Sequence, residues 1–214
     1  MTGRSRDIPL TGGGRTTVHR RGDVVLRDTG PWTPAVHALL RHLEEVGFSA
    51  APRLIGSGLD QDGREMLTFV EGEFTQPRPW TVQGAAALGR MLRDLHQATS
   101  TFHPDRGAVW FPWHGRDLGG PDRVIGHCDV APWNIVARDG IPVGLIDWEF
   151  AGPVDPIVEL AQLCWLNAKR TMQGSPEMTS HPIALWAMAW RARSAAWIIR
   201  NRRTLESAVI RGCP

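Results

Sequence analysis

Lysine is almost missing from this chain of 214 residues, where Lys169 stands alone against 23 arginines. Any cation that grips an anion in the N-terminal part is therefore an arginine. The three cysteines, Cys128, Cys164 and Cys213, are odd in number and lack the paired spacing of a zinc site or a disulfide framework. That pattern fits a reduced, cytoplasmic compartment, where ATP is also found. No run of eighteen apolar residues occurs, which excludes a membrane-spanning helix, and the opening MTGRSRDIPLTGGG has no apolar core of a secretory signal. A net charge of +2 makes no global case for nucleic acid or for a membrane surface. With 42% hydrophobic and 21% charged residues, the chain has the balance of a globular enzyme. Its length suits one large domain or two small lobes around a shared cleft.

The most informative stretch is Val124 to Phe150. A short apolar run leads into three polar residues, His127, Asp129 and Asn134. Two apolar runs, Ile135-Val136-Ala137 and Val143-Gly144-Leu145-Ile146, then flank Arg138-Asp139-Gly140. Asp-Gly between such runs signals a β-hairpin. Folding back at that turn brings Asp147 within a residue or two of Asn134, with Asp129 on the preceding loop. Hard oxygen donors gathered on one loop-and-hairpin frame suit Mg²⁺.

The pattern H-x-D-x-x-x-x-N, followed by an apolar strand and D-x-E, resembles the catalytic segment of the aminoglycoside phosphotransferase and choline kinase-like family, relatives of the protein kinases. The resemblance implies a protein-kinase-like, two-lobe α+β fold. Residues 1–72 would form a small antiparallel-sheet lobe that binds nucleotide. Residues 73–214 would form a mainly helical lobe for catalysis and the acceptor, shorter at its C-terminus than usual. It implies ATP and Mg²⁺ as cofactors and a small-molecule hydroxyl as acceptor. Asp129 would take the hydroxyl proton, Asn134 and Asp147 would hold the metal, and His127 would brace the loop.

Upstream, Gly12-Gly13-Gly14 and Gly22-Asp23 punctuate short apolar runs that read as two or three antiparallel strands. Backbone N–H groups at Gly13 and Gly14 would cover a nucleotide, although a bare triple glycine serves equally as a hairpin turn. Arg27 closes the strand Val24–Leu26 where the family places a phosphate-gripping lysine; the other reading is a solvated strand-end cation. Thr33 is the expected N-cap of a helix with Pro34 at its first position, and Val36, Leu39, Leu40 and Leu43 form its apolar stripe. The family pairs its strand lysine with a glutamate in this helix, whereas here Val36 or His37 falls there, so both partners differ. Two more strands flank the turn Asp60-Gln61-Asp62-Gly63, and the second runs into Glu71-Gly72-Glu73. By the same resemblance, backbone groups at Phe69 and Val70 would meet the adenine edge, in a linker spanning Glu71 to Gln76.

Val82 to Ala98 has helical apolar spacing, with His96 read as a hydrogen-bonded core residue. Residues 99 to 123 read as loop, whose Phe102, Trp110, Phe111 and Trp113 wall an acceptor pocket or cover the core. Asp155 and Pro156 start a further helix, in which Glu159 is structural. A last helix is expected from about Ile183 to Ala208, with Trp186, Trp190 and Trp197 near one face. From residue 161 onward two acids, Glu177 and Glu206, face eight bases. That excess predicts an acceptor that is not polycationic; Trp113, Trp165 and Trp186 are candidates for flat contacts to it. Nucleic acid and membrane are not expected partners. A catalytically impaired, nucleotide- or small-molecule-binding pseudokinase is the competing reading, motivated by the altered Arg27 and Val36 pair and the short C-terminus.

Overall fold

The computed structural model describes residues 7–10, 17–76 and 78–171. The N-terminal part is an antiparallel sheet built from β1 (Ile8–Leu10), β2 (Val18–Arg21), β3 (Val24–Arg27), β4 (Leu54–Leu59) and β5 (Glu65–Thr68), in the order β1-β2-β3-β5-β4. Tight turns set the register: Gly22 (φ 61°) lets the chain reverse between β2 and β3, placing Arg21 opposite Val24. The triple glycine, with Gly13 and Gly14, lies outside the described residues.

Helix α1 (Thr33–Glu45) packs against this sheet because Val36, Leu39, Leu40 and Leu43 recur at i, i+3, i+4 and i+7. All four are buried, and they share one core with Leu67 of β5. Burial on that scale contributes about 1.5–3 kcal/mol per side chain. The start of the helix differs from the expected cap. Thr33 lies inside the helix, Trp32 occupies the cap position, and no side chain caps it. The Thr33 hydroxyl instead accepts from the Gly30 N–H at 2.9 Å, closing the turn that precedes the helix.

Helix α2 (Val82–Thr99) is the central strut of the second half. Thr81 caps it by accepting from the Gly84 N–H, and Leu88, Leu92 and Leu95 are fully buried. It packs on β6 (Val124–Gly126), which pairs with β9 (Gly152–Val154), and on β8 (Ile141–Leu145), which pairs with β7 (Ile135–Arg138). The segment 100–123 contains no helix or strand, as expected. Arg116 holds it in place by donating to the carbonyls of Phe111, Phe150 and Pro153. Trp113 packs with Cys128, Phe150 and Val154, so it covers the core and is not a flat contact for an acceptor.

Helix α3 (Pro156–Thr171) starts as the sequence predicts: Asp155 Oδ1 accepts from the Ile157 N–H at 2.7 Å, and Oδ2 from the Gly120 N–H at 2.7 Å. The expected final helix, with Trp186, Trp190 and Trp197, falls outside the described residues. No helix of the described residues is long and apolar enough to cross a membrane.

Candidate active site

The hairpin β7–β8 turns at Asp139 (φ 51°) and Gly140 (φ 73°), two left-handed residues in succession, which matches the twist of the strands. Ile135 then lies opposite Leu145, and the Ile146 N–H donates to the Asn134 carbonyl at 2.9 Å. Asp147 is the next residue, so the hairpin brings it to Asn134 as its spacing predicts. Asp129 joins them from the preceding loop. The Asn134 amide nitrogen donates to Asp129 Oδ2 at 2.8 Å and to the Asp129 carbonyl at 3.0 Å. With its nitrogen committed, Asn134 offers a cation its side-chain oxygen.

His127 is the brace beneath this loop. Its Nε2–H donates to the Ile146 carbonyl at 2.9 Å, while Nδ1 accepts from the Asp129 N–H at 3.3 Å. The ring meets Trp148 edge-on at 4.7 Å. Those partners specify a neutral imidazole, and full burial pushes its pKa down. Nearby, His96 is the hydrogen-bonded core residue expected and Glu159 is structural, and the two turn out to be each other's buried partners at 2.5 Å. The second Glu159 oxygen accepts from the Cys128 N–H at 2.7 Å. Burial alone would raise the Glu159 pKa, but the bond to His96 and the Cys128 N–H outweigh it and hold it low.

These two groups predict a pH dependence. Both have folded-state values below their ordinary ones, so the unfolded chain binds more protons as the solution is acidified. Their stabilisation is complete at neutral pH and lost on acidification, first through His127 below its ordinary 6.5, then through Glu159 below its ordinary 4.5. Urea midpoints measured between about pH 7.5 and about pH 4 should fall steadily. A flat profile contradicts the assignment.

Asp147 has φ 63° and ψ 66°, a left-handed conformation that costs a non-glycine residue about 1–3 kcal/mol and persists only where its surroundings enforce it. The side chain is 41% exposed. Its Oδ1 lies 2.9 Å from Arg27 Nη1. Arg27 is not a solvated strand-end cation: only 7% of it is exposed. Its head is enclosed by three carboxylates, with Nε 3.1 Å from Glu65 Oε2 and Nη2 3.3 Å from Glu149 Oε2. Burial lowers its pKa, but Asp147, Glu65 and Glu149 together outweigh that, so its charge is secure.

Glu65 is the residue the sequence reading missed. In the structure it sits on β5 directly opposite Arg27 and supplies the counter-ion sought in α1. The His37 Nε2–H bonds its other oxygen at 3.0 Å, while Val36 is plain core. One signal was available: Glu65 and Leu67 alternate on β5, the period of residues sharing a face.

Phe69 and Val70 follow β5. The Phe69 N–H is engaged by the Asp23 carbonyl at 2.8 Å, and the Arg20 guanidinium covers its ring at 3.6 Å. Val70 rests on Gly144, where an added Cβ would meet it at 2.7 Å. Beyond them Glu73 exchanges two backbone hydrogen bonds with Ala137, at 2.8 and 2.9 Å, joining the linker to the hairpin. Phe69 and Val70 are thus placed between the sheet and the hairpin.

The profile described as "Phosphotransferase enzyme family" matches residues 103–195. The trifolitoxin immunity protein of Rhizobium leguminosarum bv. trifolii is 45% identical over 257 aligned positions, covering 95% of this chain and 98% of that protein. Among solved structures, an amicoumacin kinase complexed with AMP-PNP, Ca²⁺ and its namesake superposes with a TM-score of 0.71 at 13% identity, covering 90% of this chain and 75% of that one. An aminoglycoside phosphotransferase from Streptomyces rimosus gives 0.59 at 17% identity, covering 88% and 87%. The fold is thus protein-kinase-like. The chain belongs to the phosphotransferase enzyme family.

Proposed function

We propose that this protein transfers the terminal phosphoryl group of Mg-ATP to a hydroxyl of a small molecule in the cytoplasm. The observation that carries the reading is the cluster of Asp129, Asn134 and Asp147 on the frame of one hairpin and its preceding loop. The donor set fits Mg²⁺. The Asn134 oxygen and the Asp147 carboxylate are both hard ligands, and no group of three or more His, Cys, Asp or Glu side chains that could hold a metal exists among the described residues. A two-ligand site of this kind draws on water and substrate phosphates for the rest of its shell. When bound, the ion would neutralise charge on the transferring phosphates.

The chain's own residues do the rest. Asp129, oriented by Asn134, receives or directs the acceptor proton. His127 keeps that loop fixed without exchanging protons itself. Backbone groups of Val70 are suited to a base edge, while those of Phe69 offer only the carbonyl, because its N–H is engaged. Gly13 and Gly14 remain candidates for covering the phosphates. Most of the chemistry on this reading is positioning and charge stabilisation.

The 45% identical relative is named for immunity to trifolitoxin, and the superposed kinase for amicoumacin. We place the acceptor among toxin-like or drug-like small molecules, as a neutral or anionic one and not a polycation. Eight bases against two acids from residue 161 onward would repel a polycation. Transfer of labelled phosphate from Mg-ATP to a panel of hydroxylated antibiotics and metabolites tests the reading, and no turnover with any of them counts against it. Calorimetry with kanamycin and gentamicin at low salt, with Mg²⁺ and a non-hydrolysable ATP analogue, should show no micromolar binding. Tight binding of either drug defeats the charge argument.

One observation favours a binding protein without turnover. Asp147 already has a cation, Arg27, on one oxygen, which a metal must share. Saturable Mg-ATP binding with no phosphate transfer would select that reading.

A further inference from the structure

Arg27 meets Asp147 and Glu149 beside the candidate metal ligands, but what fixes its head comes from the sheet. Glu65 stands opposite Arg27 in the β3–β5 ladder and is itself buried. Its Oε2 faces Arg27 Nε, off the line of a good hydrogen bond, and its Oε1 accepts from His37. His37 projects from the early part of α1, among the core residues Val36, Leu39 and Leu40.

The seat of that ring has been cleared by a third element. The register of β4 against β5 shifts between Leu54 and Leu59. Within that irregularity Gly56 and Gly58 have φ of 59° and 90°, and a Cβ on Gly58 would lie 2.8 Å from His37 Cε1 and Nδ1. A glycine is needed there for its conformation and again for its lack of a side chain. Helix, bulged strand and neighbouring strand thus converge on one carboxylate. A cross-strand ion pair alone would require neither the histidine nor the bulge.

We propose that Glu65 and His37 are positioning residues for the phosphate site: Glu65 fixes the Arg27 head, and His37 ties that carboxylate to α1. The physical reason is competition. A guanidinium shared by three carboxylates settles where their pulls balance. Without Glu65 it would settle wholly on Asp147 and Glu149, neutralising the acid that a metal-bound nucleotide needs. Through His37, the seat of α1 on the sheet determines how far Arg27 reaches toward them. The inference rests on the Mg-nucleotide reading, and its test has an arm that does not.

Mg-ADP is titrated calorimetrically into the wild-type chain and the variants Glu65→Gln, His37→Ala and His37→Gln, with thermal midpoints recorded for each. Glu65→Gln and His37→Ala should weaken Mg-ADP by about 10- to 100-fold, the range for loss of an outer partner of a metal site. His37→Gln, whose amide can donate to the same oxygen, should recover most of the affinity. Wild-type affinity in both Glu65→Gln and His37→Ala, whatever their midpoints, overturns the proposal. The second arm combines His37→Ala with Arg27→Lys in a thermal double-mutant cycle. Glu65 touches both residues, on its two separate oxygens, so a relay predicts midpoint losses that fail to add. Additive losses overturn the relay. Absence of Mg-ADP binding by the wild-type chain defeats the nucleotide reading, while the cycle still decides whether the relay exists.

Discussion

Replacing Asp147 by asparagine should leave a folded protein whose phosphate transfer falls by about a thousandfold or more. Metal charge stabilisation at a transferring phosphate amounts to several kcal/mol, and about 4 kcal/mol corresponds to that factor. The fold should tolerate the change because the side chain is 41% exposed and Arg27 keeps Glu65 and Glu149 as counter-ions. Asparagine is the informative replacement because it accepts the left-handed conformation at φ 63° more readily than alanine does. Asp129→Asn should be similarly folded and lose about 100- to 10,000-fold, the range for a positioned general base. Single-turnover transfer, measured beside circular dichroism, checks both. Full activity in Asp147→Asn would end the kinase reading.

The second large effect is on stability. Arg27→Ala should cost about 3–5 kcal/mol, the usual penalty for removing one partner of a buried ion pair. The penalty arises because Glu65 and Glu149, both almost wholly buried, would face each other and Asp147 with the guanidinium gone. Arg27→Lys should lose less, since one ammonium keeps the charge but cannot span three carboxylates. Its nucleotide affinity should fall between those of the wild type and Arg27→Ala. The urea midpoint decides the matter. An Arg27→Ala chain as stable as the wild type would show that the three acids are relieved in some other way.

Sequence legibility followed the range of the interactions. The grouping of Asp129, Asn134 and Asp147 depends on one short turn, and Asp139-Gly140 fixes its register almost alone. Local signals also located α2, the Asp155 cap and the place of His96 in the core. Thr33 was misread because a cap and a turn-closing hydroxyl use the same residue types, and only the backbone of Gly30 and Trp32 separates them. Glu65 was hidden for a different reason. Glu65 follows the turn Asp60-Gln61-Asp62-Gly63 by only two residues, where a charged side chain calls for no explanation. Its role depends on a register with residue 27, which is 38 positions away. Trp113 was ambiguous because aromatics in a structureless segment fit a pocket wall or a core lid equally well, and its contacts place it in the lid.

Cys128 sits between the brace His127 and the proposed base Asp129, yet its thiol is fully buried, 3.7 Å from the Gly152 carbonyl. Burial, reinforced by the negative Glu159, pushes its pKa well above the ordinary thiol value. The reactive form of a cysteine is the thiolate, and here it is both scarce and unreachable. The centre of the site should therefore be inert toward alkylating reagents and peroxide while the fold is intact. Electrophilic compounds designed to trap a cysteine beside the acceptor will find no handle at this position, and modification of Cys128 would report unfolding instead of occupancy.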